Sequence, residues 1–195
     1  MDEKLAKSIK FSITIAVITF VLAAIFSTAS STLLGNTSWY IGLVIVLIIV
    51  LIGIVFDMLG IAATAANEAP LHAMAAEKVI GAKEAVQLNK HADKFASFCN
   101  DVIGDISGIV SGSALTIVII EFVNMFQSNS TKLELVLNVI LTSIVAALTV
   151  GGKAVGKYFA INQSEHILLL TGKVVYFIET KLKINVLPKN KRGKK

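Results

Sequence analysis

Three carboxylates lie at or inside long apolar stretches of the chain, where charged side chains are rare: Asp57, Asp101 and Asp105. A lone charge at the centre of a bilayer costs about 3 kcal/mol, so such residues are expected to pair, to protonate or to hold a cation. Asp101 and Asp105 are four residues apart, which in a helix places both on one face with Cβ atoms about 5–6 Å apart. Because two like charges at this distance repel each other unless a cation lies between them, the spacing predicts a cation site.

Further oxygen donors surround the two acids on the same stretch, and oxygen ligands are those that Mg²⁺ and Ca²⁺ prefer. Gly104, Gly108 and Gly112 recur there at every fourth position, a pattern that lets helix backbones approach closely. We therefore expect a cation site at a helix crossing. Its candidate metal ligands are Asp57, Asp101, Asp105, Asn100, Ser107 and Ser111, with Ser113 as a further oxygen nearby.

Two lysines offer a different partner for these acids. Lys153 and Lys157 lie near the end of the last apolar stretch, and they either extend to the membrane interface or pair with Asp57 or Asp101. If they pair, the acids need no metal. In a third interpretation the glycines form only a helix-packing seam, and the acids begin a helix at the membrane edge. The sequence leaves these alternatives open.

The elements that carry these residues are predicted to be membrane spans. Of the 195 residues 55% are hydrophobic and 16% are charged, with mean hydropathy +0.77, whereas soluble domains carry nearer 25% charged residues. No charge occurs from residue 11 to residue 56, and a span needs about 20 apolar residues. The expected fold is an all-α polytopic membrane protein with four transmembrane helices, over Phe11–Leu34, Ile41–Ala66, Phe98–Phe126 and Leu135–Ala160.

The basic residues predict the orientation of these spans. Three lysines occur in the first ten residues, none in the turn at 35–40, four in the segment 68–97, one in the turn at 127–132, and ten basic residues from Lys153 onward. The positive-inside rule then places both termini in the cytoplasm and the protein in the cytoplasmic membrane. The alternative is a cleaved signal peptide at the N-terminus. The length of the apolar run argues against it, because the run is longer than the apolar region of a usual signal peptide.

The segments outside the spans are predicted to lie against the bilayer. Apolar residues recur at helical spacing in 68–97, which indicates one or two amphipathic juxtamembrane helices, and the tail repeats the pattern at Ile167, Leu170, Val174, Phe177 and Ile178. The basic end suits anionic lipid head groups, so no nucleic-acid partner is expected. Cys99 is the only cysteine, is expected to be a buried apolar residue, and excludes an intrachain disulfide.

Three motifs follow one another on successive spans. The second span ends in Phe56-Asp57-Met58-Leu59-Gly60-Ile61-Ala62-Ala63-Thr64, the third begins with Asn100-Asp101-Val102-Ile103-Gly104-Asp105, and the fourth ends in Gly152-Lys153-Ala154-Val155-Gly156-Lys157-Tyr158-Phe159-Ala160. Together they resemble the membrane domain of the CNNM/CorC magnesium transporter family over about residues 41–185. The family's motifs read Phe-Ser-x-Ser-Glu-Thr-Ala-Leu-Thr, Gly-Asn-x-x-x-Asn and Gly-Glu-(two apolar)-Pro-Lys-x-x-Ala.

The resemblance implies a dimeric membrane domain in which one serine and two asparagines hold Mg²⁺. By position these ligands fall on Asp57, Asp101 and Asp105, the same acids that their position in apolar stretches singles out. The family continues into paired CBS nucleotide-binding modules where this chain ends, so we expect no ATP control of that kind and a partner protein as the source of any regulation. The first span has no counterpart in the family.

The chain departs from the family at the three ligand positions and at others beside them. Gly60 replaces the glutamate of the first motif, Lys153 replaces the glutamate of the third, and Gly156 replaces its proline. Neutral ligands have thus become acids while one acid has become a base. Either the total charge of the site is kept while its placement moves, or the site has been rewired to an internal ion pair.

The predicted function is transport of a divalent cation, with Mg²⁺ as the first choice. The predicted mechanism is exposure of the acidic site to the two sides of the membrane in turn. The alternative is a non-transporting scaffold or accessory subunit whose acids are neutralised by Lys153 and Lys157. No organic cofactor and no enzyme activity are expected, because no substrate-orienting groups accompany the acids. The expected partners are the lipid bilayer and a second copy of the chain. Three regions are predicted: an added span and turn at 1–40, the transporter-like domain at 41–160, and a cytoplasmic helix and basic tail at 161–195.

Overall fold

Helices account for nearly all of the chain that the structure describes. The computed structural model describes residues 3–35, 37–125 and 131–182. Within those ranges there is no strand, which confirms the all-α prediction. The helices are α1 (Glu3–Leu34), α2 (Trp39–Ala65), α3 (Glu68–Ala76), α4 (Ala82–Lys90), α5 (Ala92–Ser97), a π-helical segment (Phe98–Gly104), α6 (Asp105–Met125), α7 (Thr131–Asn162) and α8 (Ser164–Leu182).

Four stretches of these described residues are long and apolar enough to cross a membrane, and the fold is that of a multi-pass membrane protein. They are Ser8–Leu34, Trp39–Ala65, Ala92–Met125 and Glu134–Asn162. The four predicted spans are confirmed, with ends that differ by a few residues. The third begins six residues before the predicted Phe98, because α5, the π-helical segment and α6 follow one another without a break. Its predicted end, Phe126, lies outside the described residues.

The contacts divide the chain into two compact units, Met1–Asp57 with Phe98–Val155, and Met58–Ser97 with Gly156–Lys195. In the first unit, α2 packs closely against α6 through glycines. A Cβ added at Gly42 would lie 2.6 Å from Cγ2 of Val118, and one added at Gly53 would lie 2.9 Å from Cβ of Ser107. The core beside these contacts comprises Leu34, Val46, Val50, Ala114, Leu115, Val118, Ile119, Val123 and Val145.

In the second unit, α4 packs against α8 at a point where two glycines meet. Gly81 precedes α4 with a left-handed φ of 84°, and a Cβ added at Gly172 would collide with the Gly81 carbonyl oxygen and lie 2.8 Å from the Ala85 nitrogen. Only glycine fits at position 172 without a shift of backbone. The core of this unit comprises Ala63, Ala66, Leu71, Ala85, Leu88, Leu168 and Val175.

Side-chain amides satisfy helix ends in the second unit. Asn89 Nδ2 donates to the carbonyl oxygens of Ala63 at 3.1 Å and Ala66 at 2.9 Å, two groups at the end of α2 that have few intrahelical partners. Asn67 Nδ2 donates to Glu165 Oε1 at 3.1 Å, which connects the start of α3 with the start of α8. Before the third span, the segment from residue 68 folds as two short helices, α3 and α4, in agreement with the prediction, while α5 is the start of that span.

The helix α8 carries apolar residues on more than one face. Of the residues predicted to form its apolar face, Ile167 is buried, whereas Leu170, Val174 and Phe177 are 47%, 58% and 61% exposed. The packed face of the helix includes Leu168 instead, which is fully buried. Contact of the exposed residues with a bilayer surface stays a prediction.

Candidate functional site

One of the three predicted acids forms an ion pair with a predicted lysine. Lys153 Nζ lies 3.7 Å from Asp57 Oδ1, and the two side chains are 28% and 17% exposed. A separation of 3.7 Å is an ion-pair distance, longer than the roughly 2.7–2.9 Å of a direct charge-assisted hydrogen bond. The pairing that the sequence left as an alternative therefore forms at Asp57. Lys157, the other predicted lysine, is exposed.

Small residues bring three elements together at this pair. Gly152 of α7 lies against Ile54 of α2, so close that a Cβ there would require the isoleucine side chain to shift. At the end of the π-helical segment, a Cβ added to Gly104 would lie 3.6 Å from Lys153 Nζ and 3.9 Å from Asp57 Oδ1. The pair thus lies directly beside the backbone of Gly104, and glycines at 104 and 152 allow α2, α7 and the start of α6 to meet there.

The other two predicted acids lie at the junction of the π-helical segment and α6. Asp101 lies within the π-helical segment, Asp105 is the first residue of α6, and both are exposed. The spacing argument assumed a regular α-helix, but a π-helix has wider turns with i→i+5 hydrogen bonds. The two carboxylates are therefore accessible and close in sequence, but the regular i, i+4 geometry predicted for them does not apply across this junction.

The predicted neutral ligands differ in how far their polar atoms are already used. Asn100 Oδ1 is buried and has no hydrogen-bond partner among the described residues. Ser107 Oγ donates to the Ile103 carbonyl oxygen at 2.7 Å, and Ser111 Oγ donates to the Gly108 carbonyl oxygen at 3.0 Å. Each serine hydroxyl thus has its hydrogen-bond acceptor within its own helix, while the oxygen lone pairs stay free to accept. Asn100 is the one predicted ligand here with a buried oxygen that lacks any donor.

The acids are not gathered into one cluster in this conformation. Within residues 3–35, 37–125 and 131–182, no group of three or more His, Cys, Asp or Glu side chains is arranged to hold a metal ion. Asp57 faces the ammonium group of Lys153, whereas Asp101 and Asp105 face outward. A cation bound by all three acids would require Lys153 to move away from Asp57.

Two features of the site were not anticipated from the sequence. The π-helical segment has no composition signal, because its residues fit an α-helix equally well in periodicity and propensity. The role of Gly104 beside the ion pair was also missed, since its four-residue spacing to Gly108 and Gly112 indicated a helix seam. A Cβ added at either of those two glycines would meet nothing within 4 Å. By contrast, Cys99 is buried as predicted.

In comparisons with known proteins, no family model, no curated protein and no solved structure matches the chain. The resemblance to the CNNM/CorC family therefore stays a prediction that depends on the three motifs alone.

Proposed function

We propose that the protein transports a divalent cation, with Mg²⁺ as the first choice, across the cytoplasmic membrane. In this proposal Lys153 acts as a tethered cation that competes with the transported ion for Asp57. The observation that carries this proposal is the 3.7 Å ion pair at the meeting point of α2, α7 and the π-helical segment. An ammonium group and a hard metal ion both bind to carboxylate oxygens, so one can replace the other.

The state of the neighbouring oxygens supports a cation site at the same place. The buried Oδ1 of Asn100 has no hydrogen-bond donor among the described residues. Burying such an oxygen without a partner costs about 1–3 kcal/mol. A cation is one of the few species that satisfies such an oxygen together with carboxylates. The exposed Asp101 and Asp105 would raise the local concentration of cations next to it.

In the proposed cycle, Lys153 neutralises Asp57 while the site is empty. An arriving ion first meets the accessible carboxylates of Asp101 and Asp105 and then displaces the ammonium group from Asp57. The displaced lysine lies on α7 and can extend toward the interface, as long basic side chains near span ends do. Release of the ion on the other side lets Lys153 return, which resets the site. Both termini lie in the cytoplasm in this scheme.

The protein is proposed to act as a homodimer. Gly108 and Gly112 present an open surface on α6, since a Cβ at either would meet nothing within 4 Å. Glycines spaced by four residues are typical of surfaces where two membrane helices approach closely. A second copy of the chain is the proposed partner at this surface, and regulation by a separate protein would act on the assembled dimer.

The test is Mg²⁺ uptake by proteoliposomes that contain the purified chain and a Mg²⁺-sensitive dye in the lumen. We expect uptake above that of empty liposomes. Asp101→Asn/Asp105→Asn should lower uptake by at least about 10-fold, because loss of two ligands should cost no less than the roughly 10–100-fold lost when groups that only support ligands are removed. The matched control is Asp93→Asn, the same chemical change at an exposed acid of α5 outside the predicted ligand set. Uptake by the control should equal that of the wild type.

The second candidate function is a non-transporting accessory subunit, which the Asp57–Lys153 pair also favours because it neutralises the acid without a metal. Well-folded protein without Mg²⁺ uptake would refute the transport proposal and support this alternative. Uptake that the Asp101→Asn/Asp105→Asn variant retains in full would keep transport but overturn the assignment of the site.

A further inference from the structure

A cavity with apolar walls lies within the first unit, between α1, α2 and the start of α6. Its volume is about 650 Å³, within the range typical of small-molecule sites. The walls come from Leu22–Leu33 of α1, Ile45–Phe56 of α2 and the stretch Phe98–Val110, and twelve of the fourteen lining residues are apolar. The two exceptions are Ser30 and Ser107.

The shape of the cavity follows the direction of the spans. Its wall on α2 extends from Ile45 to Phe56, which is about 17 Å at the usual rise of about 1.5 Å per residue. All three walls belong to stretches apolar enough to cross a membrane. An elongated apolar cavity in that setting fits an extended alkyl chain better than a compact or polar molecule.

One polar atom in the wall lacks a partner. Ser30 is 8% exposed, and its Oγ is buried without a hydrogen-bond partner among the described residues. Two neighbours on α1 behave differently: Thr28 Oγ1 donates to the Ala24 carbonyl oxygen at 2.7 Å, and Thr32 Oγ1 donates to the Thr28 carbonyl oxygen at 2.8 Å. Among the residues that the structure describes, the Ser30 hydroxyl is thus free to donate to a bound molecule.

The polar group of the cavity lies close to one end of its helix. Ser30 is four residues before the end of α1 at Leu34, which is about 6 Å along the helix axis. The end of a membrane span lies near the boundary between hydrocarbon and head groups, where the carbonyl oxygens of lipids occur. A chain that enters at this level would place its first oxygen near Ser30 and its methylene groups along α2.

We propose that this cavity binds one long alkyl chain that carries an oxygen near one end, as the acyl chain of a membrane lipid does, and that the Ser30 hydroxyl hydrogen-bonds to that oxygen. This binding proposal does not depend on the proposed cation transport, and its cavity shares one residue, Ser107, with the candidate metal ligands. The helix α1 forms one wall, so the site uses the span that has no counterpart in the family that the other spans resemble.

The test is native mass spectrometry of the full-length purified chain after incubation with palmitic acid or with dipalmitoyl phosphatidylcholine. These two probes separate a free fatty acid from a lipid acyl chain. We expect one retained probe molecule per chain. Ala29→Phe, which places a ring in the cavity, should lower retention by at least about tenfold, equivalent to about 1.4 kcal/mol.

Two further variants make the result interpretable. Ser30→Ala removes a single oxygen and leaves the packing intact, so it should fold and weaken retention by about fivefold, the value of one hydrogen bond. Ala16→Phe makes the same change as Ala29→Phe at an exposed position of α1 that does not line the cavity, and it should retain the probe like the wild type. Equal retention by the wild type, Ala29→Phe and Ser30→Ala would overturn the proposal. So would a lipid-free dimer, which would indicate that a second copy fills the cavity.

Discussion

Removal of the Asp57–Lys153 pair tests directly whether the lysine neutralises the carboxylate of Asp57. At 3.7 Å, and at the effective dielectric constant of about 20 that suits partly buried sites, the gross Coulomb attraction is about 4 kcal/mol. Desolvation of the two ions offsets much of this attraction, and exposures of 28% and 17% let solvent screen the remainder. We expect a net coupling energy between the two side chains of about 1–3 kcal/mol.

The test is a double-mutant cycle, which compares the wild type with Lys153→Met, Asp57→Asn and the variant that carries both changes. Removing one partner of a buried pair costs about 3–5 kcal/mol because the other charge is left unpaired, and the partial exposure of this pair lowers that to about 2–4 kcal/mol for Lys153→Met. The double variant leaves no charge to desolvate. Its free energy of unfolding should return to within about 1 kcal/mol of the wild type, a non-additivity that only an interaction between the two groups produces.

The assay is reversible unfolding by SDS in mixed micelles, followed by helical circular dichroism. Lys157→Met is the matched control, because it removes the same charge one turn further along α7 at an exposed position. It should change the free energy of unfolding by no more than about 0.5 kcal/mol. Additive effects, with a coupling energy below about 0.5 kcal/mol, would refute the view that Lys153 neutralises Asp57.

Two further predictions concern the second unit. Gly172→Ala should lower the free energy of unfolding by about 1–3 kcal/mol, because the new methyl group would collide with backbone atoms of α4, whereas Gly151→Ala, with open space around it, should be near neutral in the same SDS assay. The backbone N–H of Glu165 itself holds the pKa of its carboxyl below the usual 4.5; burial opposes that shift, and hydrogen bonds from Asn67 and Ser164 add to it. A carboxylate with a lowered pKa stabilises the fold above pH 4.5 and loses this contribution as the pH falls through the lowered value. Thermal melting over that range should therefore show a modest loss of stability that Glu165→Gln lacks, and an equal pH dependence in both proteins would contradict the assignment.

Hydropathy was enough to predict the spans because it is a property of each segment by itself. A stretch such as Trp39–Ala65 crosses a bilayer or not according to its own length and composition, whatever its neighbours are. The same holds for the helical state of the joins, since short apolar-periodic segments between spans favour helices. For this reason the four spans and the all-α class could be predicted from the sequence, to within a few residues at most ends.

The face that a helix packs is a different kind of question, because it depends on the shape of the partner. The helix α8 has apolar residues around much of its circumference, and periodicity favoured a face that includes Leu170, Val174 and Phe177, which are exposed. The packing is decided instead by Gly172, whose missing side chain lets α8 approach the backbone of α4. No pattern within α8 alone contains that information.

The candidate site divides in the same way. The cost of charge in an apolar stretch identified Asp57, Asp101 and Asp105 from the sequence, since that cost is local to each residue. Which of them meets Lys153 depends on how three helices cross, and this is set by close contacts at Gly104 and Gly152 between segments far apart in the chain. That these charges need partners within a membrane bundle follows from residue types and hydropathy alone. The partner of Asp57 and the cavity beside α1 depend on distances between elements, and the turn that carries Asp101 is π-helical although its residues fit an α-helix equally well, so these three features became visible only in the folded chain.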